Sequence, residues 1–166
     1  MAVTFACSAA AKVAGRAAYA DFRGWLTSAA GVPRRLSAPA AAVTVALEAA
    51  TAAAMLVPAL VPAGFGAAAI LLVVFSAGVR SMMRRRVAVP CRCFGAGTRP
   101  PGPAHLVRNG LLLLVAFSGL LITRGGAAPP PLTADSVLAA VAGTAAALLL
   151  VNLDELVDLY RPLDRP

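Results

Sequence analysis

Charged residues are scarce in this chain of 166 residues, since Asp, Glu, Lys and Arg together make up only 13% of it. Hydrophobic residues make up 60%, and the mean hydropathy is +0.80. A water-soluble domain of this size needs a charged surface that this composition cannot supply. The composition therefore excludes an ordinary soluble domain and predicts an integral membrane protein.

Aromatic residues are also few, at 5%, and they do not alternate with basic residues as they do in many nucleic-acid sites. The net charge of +8 reflects fifteen basic residues, fourteen of them arginine, which gather between long apolar segments. Such clusters are typical of loops that face the anionic cytoplasmic leaflet. We therefore expect the chain to meet a lipid bilayer and no nucleic acid.

Cysteine is limited to three residues, Cys7, Cys91 and Cys93, which are too few for a scaffold built on disulfides. The apolar start of the chain also lacks the basic residues that open a secretory signal, because the first basic residue, Lys12, follows the apolar part. We therefore interpret residues 1–15 as a short first transmembrane helix.

Long uncharged segments predict the other helices, because about 20 apolar residues span the ~30 Å core of a bilayer. Pro58 and Pro62 divide the longest of these segments into two. Ser37 is the predicted N-cap of the second helix, and Pro39 lies in its opening turn. The predicted fold class is all-α, an integral membrane helical bundle, with further helices over 39–61, 65–83, 104–122 and 133–153 and a short charged tail over 154–166.

The distribution of basic residues predicts the orientation of these helices. Segments 12–35 and 80–108 contain five and seven basic residues, whereas the turns near 62–64 and 124–132 contain none and one. Because basic loops stay in the cytoplasm, we expect five crossings, with the N-terminus outside and the segment around Cys91 inside. The abundance of Ala, Gly and Pro indicates a GC-rich bacterial genome, so the expected location is the bacterial inner membrane.

The segment Val89-Pro90-Cys91-Arg92-Cys93-Phe94-Gly95 carries the most distinctive chemistry of the chain. Two cysteines separated by one residue can close a small, strained and easily reduced disulfide ring. Arg92 and the arginines nearby favour the thiolate, which is the reactive form of cysteine. We therefore predict that Cys91 and Cys93 form a redox pair.

Two other interpretations of this pair stay open. The thiols can be inert loop residues, or they can form half of a site for Cu(I) or Zn(II), with His105 and Cys7 as the only further ligands. Cys7 itself lies among alanines and is interpreted as a small buried hydrophobic residue, although it could pair with one loop thiol. The sequence predicts neither a bound metal nor a cofactor.

Glu48 is the single charged residue between Arg35 and Arg80. A carboxylate within a membrane helix is costly and normally faces protein or water, and Thr44 and Thr51 share its helical face. We therefore expect this polar stripe to point into the bundle. Glu48 can be a packing device, either protonated or paired with Lys12, His105 or Arg108, or it can serve transport or proton handling.

His105, Arg108 and Asn109 form a second polar face, at positions i, i+3 and i+4 of the helix predicted over 104–122. Arg108 could extend to lipid headgroups, as long basic side chains do near helix ends. In the alternative, this face meets Glu48 or the cysteine segment across the bundle.

Several motifs follow one another in a fixed order along the chain. They are Ala10-Ala11-Lys12-Val13, Phe22-Arg23, Trp25-Leu26, the mid-helix Glu48, Arg84-Arg85-Arg86, Cys91-Arg92-Cys93-Phe94-Gly95 and His105-Leu106-Val107-Arg108-Asn109. This series resembles the MauE family of methylamine-utilisation membrane proteins, within the wider DoxX-like group. The resemblance covers roughly residues 5–123, and its two most specific motifs are Cys-x-Cys-Phe-Gly and His-x-x-Arg-Asn.

The resemblance implies a four-helix membrane bundle over 1–123 that is associated with thiol redox, to which this chain adds one C-terminal helix. The namesake of the family is thought to help a disulfide-rich periplasmic dehydrogenase subunit to mature, alongside a thioredoxin-like protein. The chain would then be an accessory protein rather than a stand-alone enzyme, with a thioredoxin-like or exported redox protein as partner. Cys91 and Cys93 would be its redox pair, and the supporting positions would be Glu48, His105, Arg108 and Asn109.

The expected location of the cysteine pair conflicts with a direct oxidase role. Disulfides of exported proteins form outside the cytoplasm, whereas the basic residues predict a cytoplasmic cysteine segment. A pair on the cytoplasmic side would instead receive or deliver reducing equivalents. No residue of the chain points to methylamine itself.

Overall fold

The computed structural model describes residues 1–28, 30–86, 102–125 and 133–151, and this part of the chain contains helices and turns but no strand. The predicted all-α fold class is therefore confirmed. A short 3-10 helix, Pro58–Leu60, precedes the fourth α-helix. The α-helices are α1 (Ala2–Val13), α2 (Arg16–Ser28), α3 (Arg34–Ala54), α4 (Val61–Arg84), α5 (Pro103–Arg124) and α6 (Ala134–Val151).

Three described segments are long and apolar enough to cross a membrane, namely α3, Pro58–Arg84 and α5. The first helix, α1, has only 12 residues. At 1.5 Å per residue it rises about 18 Å, which is shorter than the ~30 Å core of a bilayer. The chain is thus a membrane protein, while the five crossings and the orientation stay predictions.

The basic segment after α1 contains a helix that the sequence analysis did not predict. One face of α2 carries Phe22, Trp25 and Leu26, all buried, at the i, i+3, i+4 spacing of an amphipathic helix. The hydroxyl of Tyr19 donates a hydrogen bond of 3.2 Å to the carbonyl oxygen of Ala38 and joins α2 to α3. The segment is therefore a wall of the bundle and not only a connecting loop.

The start of α3 differs from its prediction. The helix begins at Arg34, with Pro33 at the N-cap position, so Pro39 lies inside it and not in its opening turn. Ser37 is not the N-cap, because its hydroxyl donates to the carbonyl oxygen of Arg34 within the first turn, at 2.8 Å. Arginines were assigned to the loop because they are charged, but a membrane helix can continue beyond its apolar part into the polar interface.

Helices α4 and α5 form an extensive antiparallel pair. Phe65 of α4 lies against Gly119 of α5, and further along α4 the hydroxyl of Ser76 accepts a hydrogen bond from Asn109. Because the two helices run in opposite directions, the end of α4 and the start of α5 lie at the same end of the bundle.

The remaining helices pack around α3, which contacts α1, α2 and α4. In contrast, α6 contacts α1, and its described side chains are mostly exposed, including Leu138, Val141 and Leu149. The predicted division into a bundle over 1–123 and an added helix over 133–153 stays a prediction. The polar residues of α1 and α3 meet at the interface between these two helices.

Candidate functional site

A buried ion pair joins α1 to α3. The ammonium Nζ of Lys12 lies 2.8 Å from Oε1 and 3.0 Å from Oε2 of Glu48. The two side chains are only 2% and 0% exposed, respectively. A buried carboxylate is tolerated when an opposite charge and hydrogen bonds compensate for lost solvation, and Lys12 supplies both.

Ser8 completes this site from one turn earlier in α1. Its hydroxyl accepts a hydrogen bond from Lys12 Nζ at 2.7 Å and donates one to Glu48 Oε1 at 2.8 Å. Its side chain is fully buried. The three side chains therefore form a closed polar cluster, here called the Lys12–Glu48–Ser8 cluster, with a charge-assisted hydrogen bond along each side.

Two aromatic rings flank the ammonium group of this cluster. Lys12 Nζ lies 5.3 Å from the ring centroid of Phe22 in α2 and 5.8 Å from that of Phe75 in α4. Both distances fall within the range of cation–π attraction. Lys12 thus interacts with α2, α3 and α4 from its position near the end of α1.

A cavity of about 150 Å³ lies beside Lys12. Among the described residues, its wall combines aromatic and aliphatic side chains with one charged group and one hydroxyl. The lining residues are Lys12, Phe22, Trp25, Leu26, Ala30, Thr44, Val74, Phe75 and Gly78. The Lys12–Glu48–Ser8 cluster is therefore next to a largely apolar space and is not sealed within close-packed side chains.

The structure confirms that Glu48 points into the bundle, because its side chain is 0% exposed. Of the partners considered from the sequence, Lys12 is the one that it binds. The hydroxyls of Thr44 and Thr51 donate to carbonyl oxygens one turn earlier in their own helix, at 2.8 and 2.7 Å. The polar stripe is therefore real, but Ser8 of α1, rather than these threonines, donates to the carboxylate.

Sequence reasoning missed Ser8 and the aromatic rings around Lys12. A usable signal for Ser8 was its i, i+4 spacing from the only lysine of the chain. This spacing places Ser8 beside Lys12, but it does not predict that Ser8 also donates a hydrogen bond to Glu48. Phe22 and Phe75 carried no such signal, because they lie on different helices, separated by more than 50 residues.

The predicted face of His105, Arg108 and Asn109 is buried, with exposures of 4%, 4% and 1%. Asn109 Nδ2 donates to the hydroxyl of Ser76 at 3.3 Å, which sets this face against α4. Arg108 is therefore enclosed in the protein and not extended to lipid headgroups. Phe75 of α4 approaches Lys12, and the next residue, Ser76, accepts a hydrogen bond from Asn109. Adjacent positions of α4 therefore contact the Lys12–Glu48–Ser8 cluster and the face that contains Asn109.

The cysteine pair predicted to carry redox chemistry, Cys91 and Cys93, lies outside the described residues. Cys7 of α1 is half-buried, and within the described residues it forms no disulfide. Within the described ranges no group of three or more His, Cys, Asp or Glu side chains could hold a metal ion. The roles assigned to the cysteine pair and to its supporting positions therefore stay predictions.

Comparison with known proteins matches residues 1–122 to one family, described as Methylamine utilisation protein MauE. The matched range contains the Lys12–Glu48–Ser8 cluster, the cysteine pair and the His105 face, and it ends before α6. No curated protein and no solved structure matches the chain.

Proposed function

Because this chain belongs to the MauE family, we propose that it is a multi-pass membrane protein that assists the thiol redox or maturation of a partner protein through Cys91 and Cys93. The observation that carries this proposal is the Cys-Arg-Cys sequence, in a segment rich in arginine, within the range that matches the family. The partner is a thioredoxin-like or exported redox protein, and the chain acts as an accessory protein.

The proposed chemistry is thiol–disulfide exchange. One thiolate of the pair attacks a disulfide sulfur of the partner, forms a mixed disulfide and releases a partner thiolate. The second thiolate attacks the mixed disulfide, which closes the Cys91–Cys93 disulfide and leaves two thiols on the partner. Two electrons thus pass to the partner, and the reverse sequence oxidises it. The positive charge of nearby arginines favours the thiolate needed for attack.

The α4–α5 pair supports this proposal because these two helices flank the cysteine segment in the sequence. They are antiparallel, and the hydrogen bond between Asn109 and Ser76 ties the first part of α5 to α4. In this proposal the buried face of His105, Arg108 and Asn109 keeps the two helix ends together. A rigid frame of this kind lowers the conformational entropy lost when a reactive segment docks on its partner.

We expect that replacement of both Cys91 and Cys93 by serine abolishes every mixed disulfide between this chain and its partner. Loss of the attacking cysteine alone prevents the mixed disulfide, whereas loss of the second cysteine alone leaves it unresolved. One of the two single variants should therefore accumulate the mixed disulfide. The measurement is non-reducing electrophoresis after acid quenching of cells, with affinity capture of the chain and mass spectrometry of the adduct.

Cys7→Ser is the matched control, because this thiol lies on α1 and outside the Cys-Arg-Cys sequence. It should leave the adduct unchanged. An adduct that survives in the double variant, or that disappears in Cys7→Ser, would show that the proposed pair does not carry the exchange.

The side of the membrane on which the pair acts is part of the proposal. Arginines at the end of α4 and in the segment that follows favour a cytoplasmic location, at the bacterial inner membrane. In a Cys7→Ser background, a membrane-impermeant maleimide should label the pair only after the inner membrane is permeabilised. Labelling in spheroplasts with an intact inner membrane would place the pair outside and would favour direct oxidation of exported proteins.

A second candidate function is a structural or transport-like bundle in which the polar stripe of Glu48 is essential and the thiols are incidental. The Lys12–Glu48–Ser8 cluster beside a cavity favours this candidate, because buried charge in membrane helices often belongs to a pathway for ions or solutes. Under it, Glu48→Gln abolishes complementation of a strain that lacks the native gene, whereas the double cysteine variant complements fully. Under thiol exchange, the double cysteine variant fails.

A further inference from the structure

One end of the bundle carries a dense group of arginines. The start of α3 and the end of α4 lie at this end, because these two neighbouring helices are joined by the short turn at Pro58 and run in opposite directions. Five arginines at these helix ends are exposed, and one on α2 is half-buried. The group, here called the arginine cluster, consists of Arg23, Arg34, Arg35, Arg84, Arg85 and Arg86.

Contacts place arginines of three elements around the start of α3. Nη2 of Arg23 in α2 donates a hydrogen bond of 3.5 Å to Oγ of Ser37, whose own hydroxyl donates to the carbonyl oxygen of Arg34. Nη1 of Arg85 lies 3.3 Å from the position that a Cβ atom would take at Gly31, in the segment that leads into α3. Guanidinium groups from α2, α3 and the end of α4 are therefore gathered at one place.

Few carboxylates are available to balance this charge. Residues 1–134 include thirteen of the fifteen basic residues of the chain but only two of its seven acidic residues, Asp21 and Glu48. Glu48 pairs with Lys12, and among the described residues no member of the arginine cluster forms an ion pair. Like charges held close together repel each other, so a bound anion would stabilise this end of the bundle.

An apolar stripe on α3 begins next to the arginine cluster. Leu36, Val43 and Leu47 are each about half exposed and lie on one helical face, at positions i, i+7 and i+11. Because α3 is long and apolar enough to cross the membrane, these exposed side chains face acyl chains. A ligand at this place therefore contacts both guanidinium groups and hydrocarbon, which suits a phospholipid better than a water-soluble anion.

We propose that the arginine cluster binds the phosphate of an anionic phospholipid, with an acyl chain along Leu36, Val43 and Leu47. Arginine suits a phosphate, because its guanidinium group can donate two parallel hydrogen bonds to the phosphate oxygens. The general attraction of basic loops to an anionic leaflet requires no particular residue. The proposed site is different, because it requires Arg34 and Arg85, which belong to different elements. It goes beyond the thiol chemistry proposed above and does not rest on it.

Native mass spectrometry of the purified full-length chain in detergent micelles measures this binding directly. The probes are phosphatidylglycerol and phosphatidylcholine with identical acyl chains. Each arginine near a membrane surface raises the affinity for anionic lipid about fivefold. With arginines from three elements, we expect one phosphatidylglycerol to bind saturably and roughly a hundredfold more tightly than phosphatidylcholine. Arg34→Gln/Arg85→Gln should lower the affinity for phosphatidylglycerol about 25-fold.

Arg16→Gln/Arg124→Gln is the matched control, because it removes the same number of charges from exposed positions outside the arginine cluster. Arg124 ends α5, at the opposite end of the bundle from Arg84. The control should bind phosphatidylglycerol within about twofold of the wild type. An equal loss in both double variants would show general charge attraction and would overturn the proposal, as would equal affinity of the wild type for the two lipids.

Far-ultraviolet circular dichroism of the double variants should match that of the wild type, because the replaced side chains are exposed. If Arg34→Gln/Arg85→Gln does not fold, Arg85→Gln alone provides the test, with an expected loss of about fivefold against an unchanged affinity in Arg124→Gln.

Glycerol 1-phosphate distinguishes a lipid from a free phosphate, because it carries the phosphate without acyl chains. At millimolar concentration it should leave the bound phosphatidylglycerol in place. Displacement of the lipid would show that the arginine cluster is a site for a water-soluble phosphate, which would overturn the assignment to a phospholipid.

Discussion

Replacement of Lys12 by methionine will lower the free energy of unfolding by about 3–5 kcal/mol, because it leaves the carboxylate of Glu48 buried without its cation. Glu48 is 0% exposed and would keep only the hydroxyl of Ser8 from the present cluster. Methionine retains most of the length and apolar volume of the lysine stem. The loss therefore reports on charge and hydrogen bonding rather than on a cavity.

Titration of the detergent-solubilised protein with sodium dodecyl sulfate, followed by far-ultraviolet circular dichroism, measures this effect. Arg16→Met is the matched control, because it removes one positive charge from an exposed position near Lys12 in sequence. Such a surface change should alter stability by no more than about 0.5 kcal/mol. A similar small loss in Lys12→Met would contradict the role assigned to the ion pair.

The double variant Lys12→Met/Glu48→Leu should recover most of the lost stability. Replacement of a complete buried ion pair by apolar side chains of similar volume is often neutral or stabilising. The double-mutant cycle then gives the coupling energy of the two side chains. This variant also separates charge from fold: a protein that folds but does not complement would show that the ion pair serves function, whereas full complementation would show that it serves structure.

Gly119→Ala is expected to have the second largest effect, with a loss of about 1–3 kcal/mol from overpacking between α4 and α5. A Cβ atom added at Gly119 would lie 2.4 Å from Cζ of Phe65 and within 2.7 Å of two further ring atoms. These distances are much shorter than van der Waals contact. The ring of Phe65 must therefore move, or the two helices must separate.

Gly110→Ala is the control for this change, since it lies on the same helix and its added Cβ would meet nothing within 4 Å. It should raise stability by up to about 1 kcal/mol, because alanine has a higher helix propensity than glycine. Phe65→Leu in the Gly119→Ala background should restore part of the loss by shortening the opposing side chain. Equal effects of the two alanine substitutions would mean that α4 and α5 do not approach closely at Gly119.

The ion pair and the close contact at Gly119 secure different parts of the bundle. Gly119 and Phe65 lie within the antiparallel pair α4–α5, whereas Lys12 secures α1, whose 12 residues are few for a membrane span. A short helix has little apolar surface to hold it in place, so a buried ion pair is a strong constraint on its position. Lysine supplies this constraint with a compact ammonium group, whose N–H donors serve the carboxylate of Glu48 and the hydroxyl of Ser8.

The sequence analysis did not predict α2, because hydropathy measures the average over a whole segment. Only one face of α2 is apolar, and Arg16, Asp21 and Arg23 lower the average over the whole segment. Its buried residues, Phe22, Trp25 and Leu26, became recognisable as one face once their helical spacing was known. Their burial depends on α1 and α3 being in place, which is a property of the folded bundle.

The amino-acid sequence by itself determined that this protein is a bundle of membrane helices and that Glu48 faces the protein. Both follow from local physics, since the lipid core requires helices of about 20 apolar residues and makes a charge that faces acyl chains costly. The family, too, was recognisable from motifs along the chain. Only the tertiary structure decided that Lys12 and Ser8, rather than His105 or Arg108, meet the carboxylate, and that aromatic rings enclose a cavity beside them. The reason is that these contacts join residues far apart in the chain, so they depend on how α1 to α4 pack and not on the properties of any one segment.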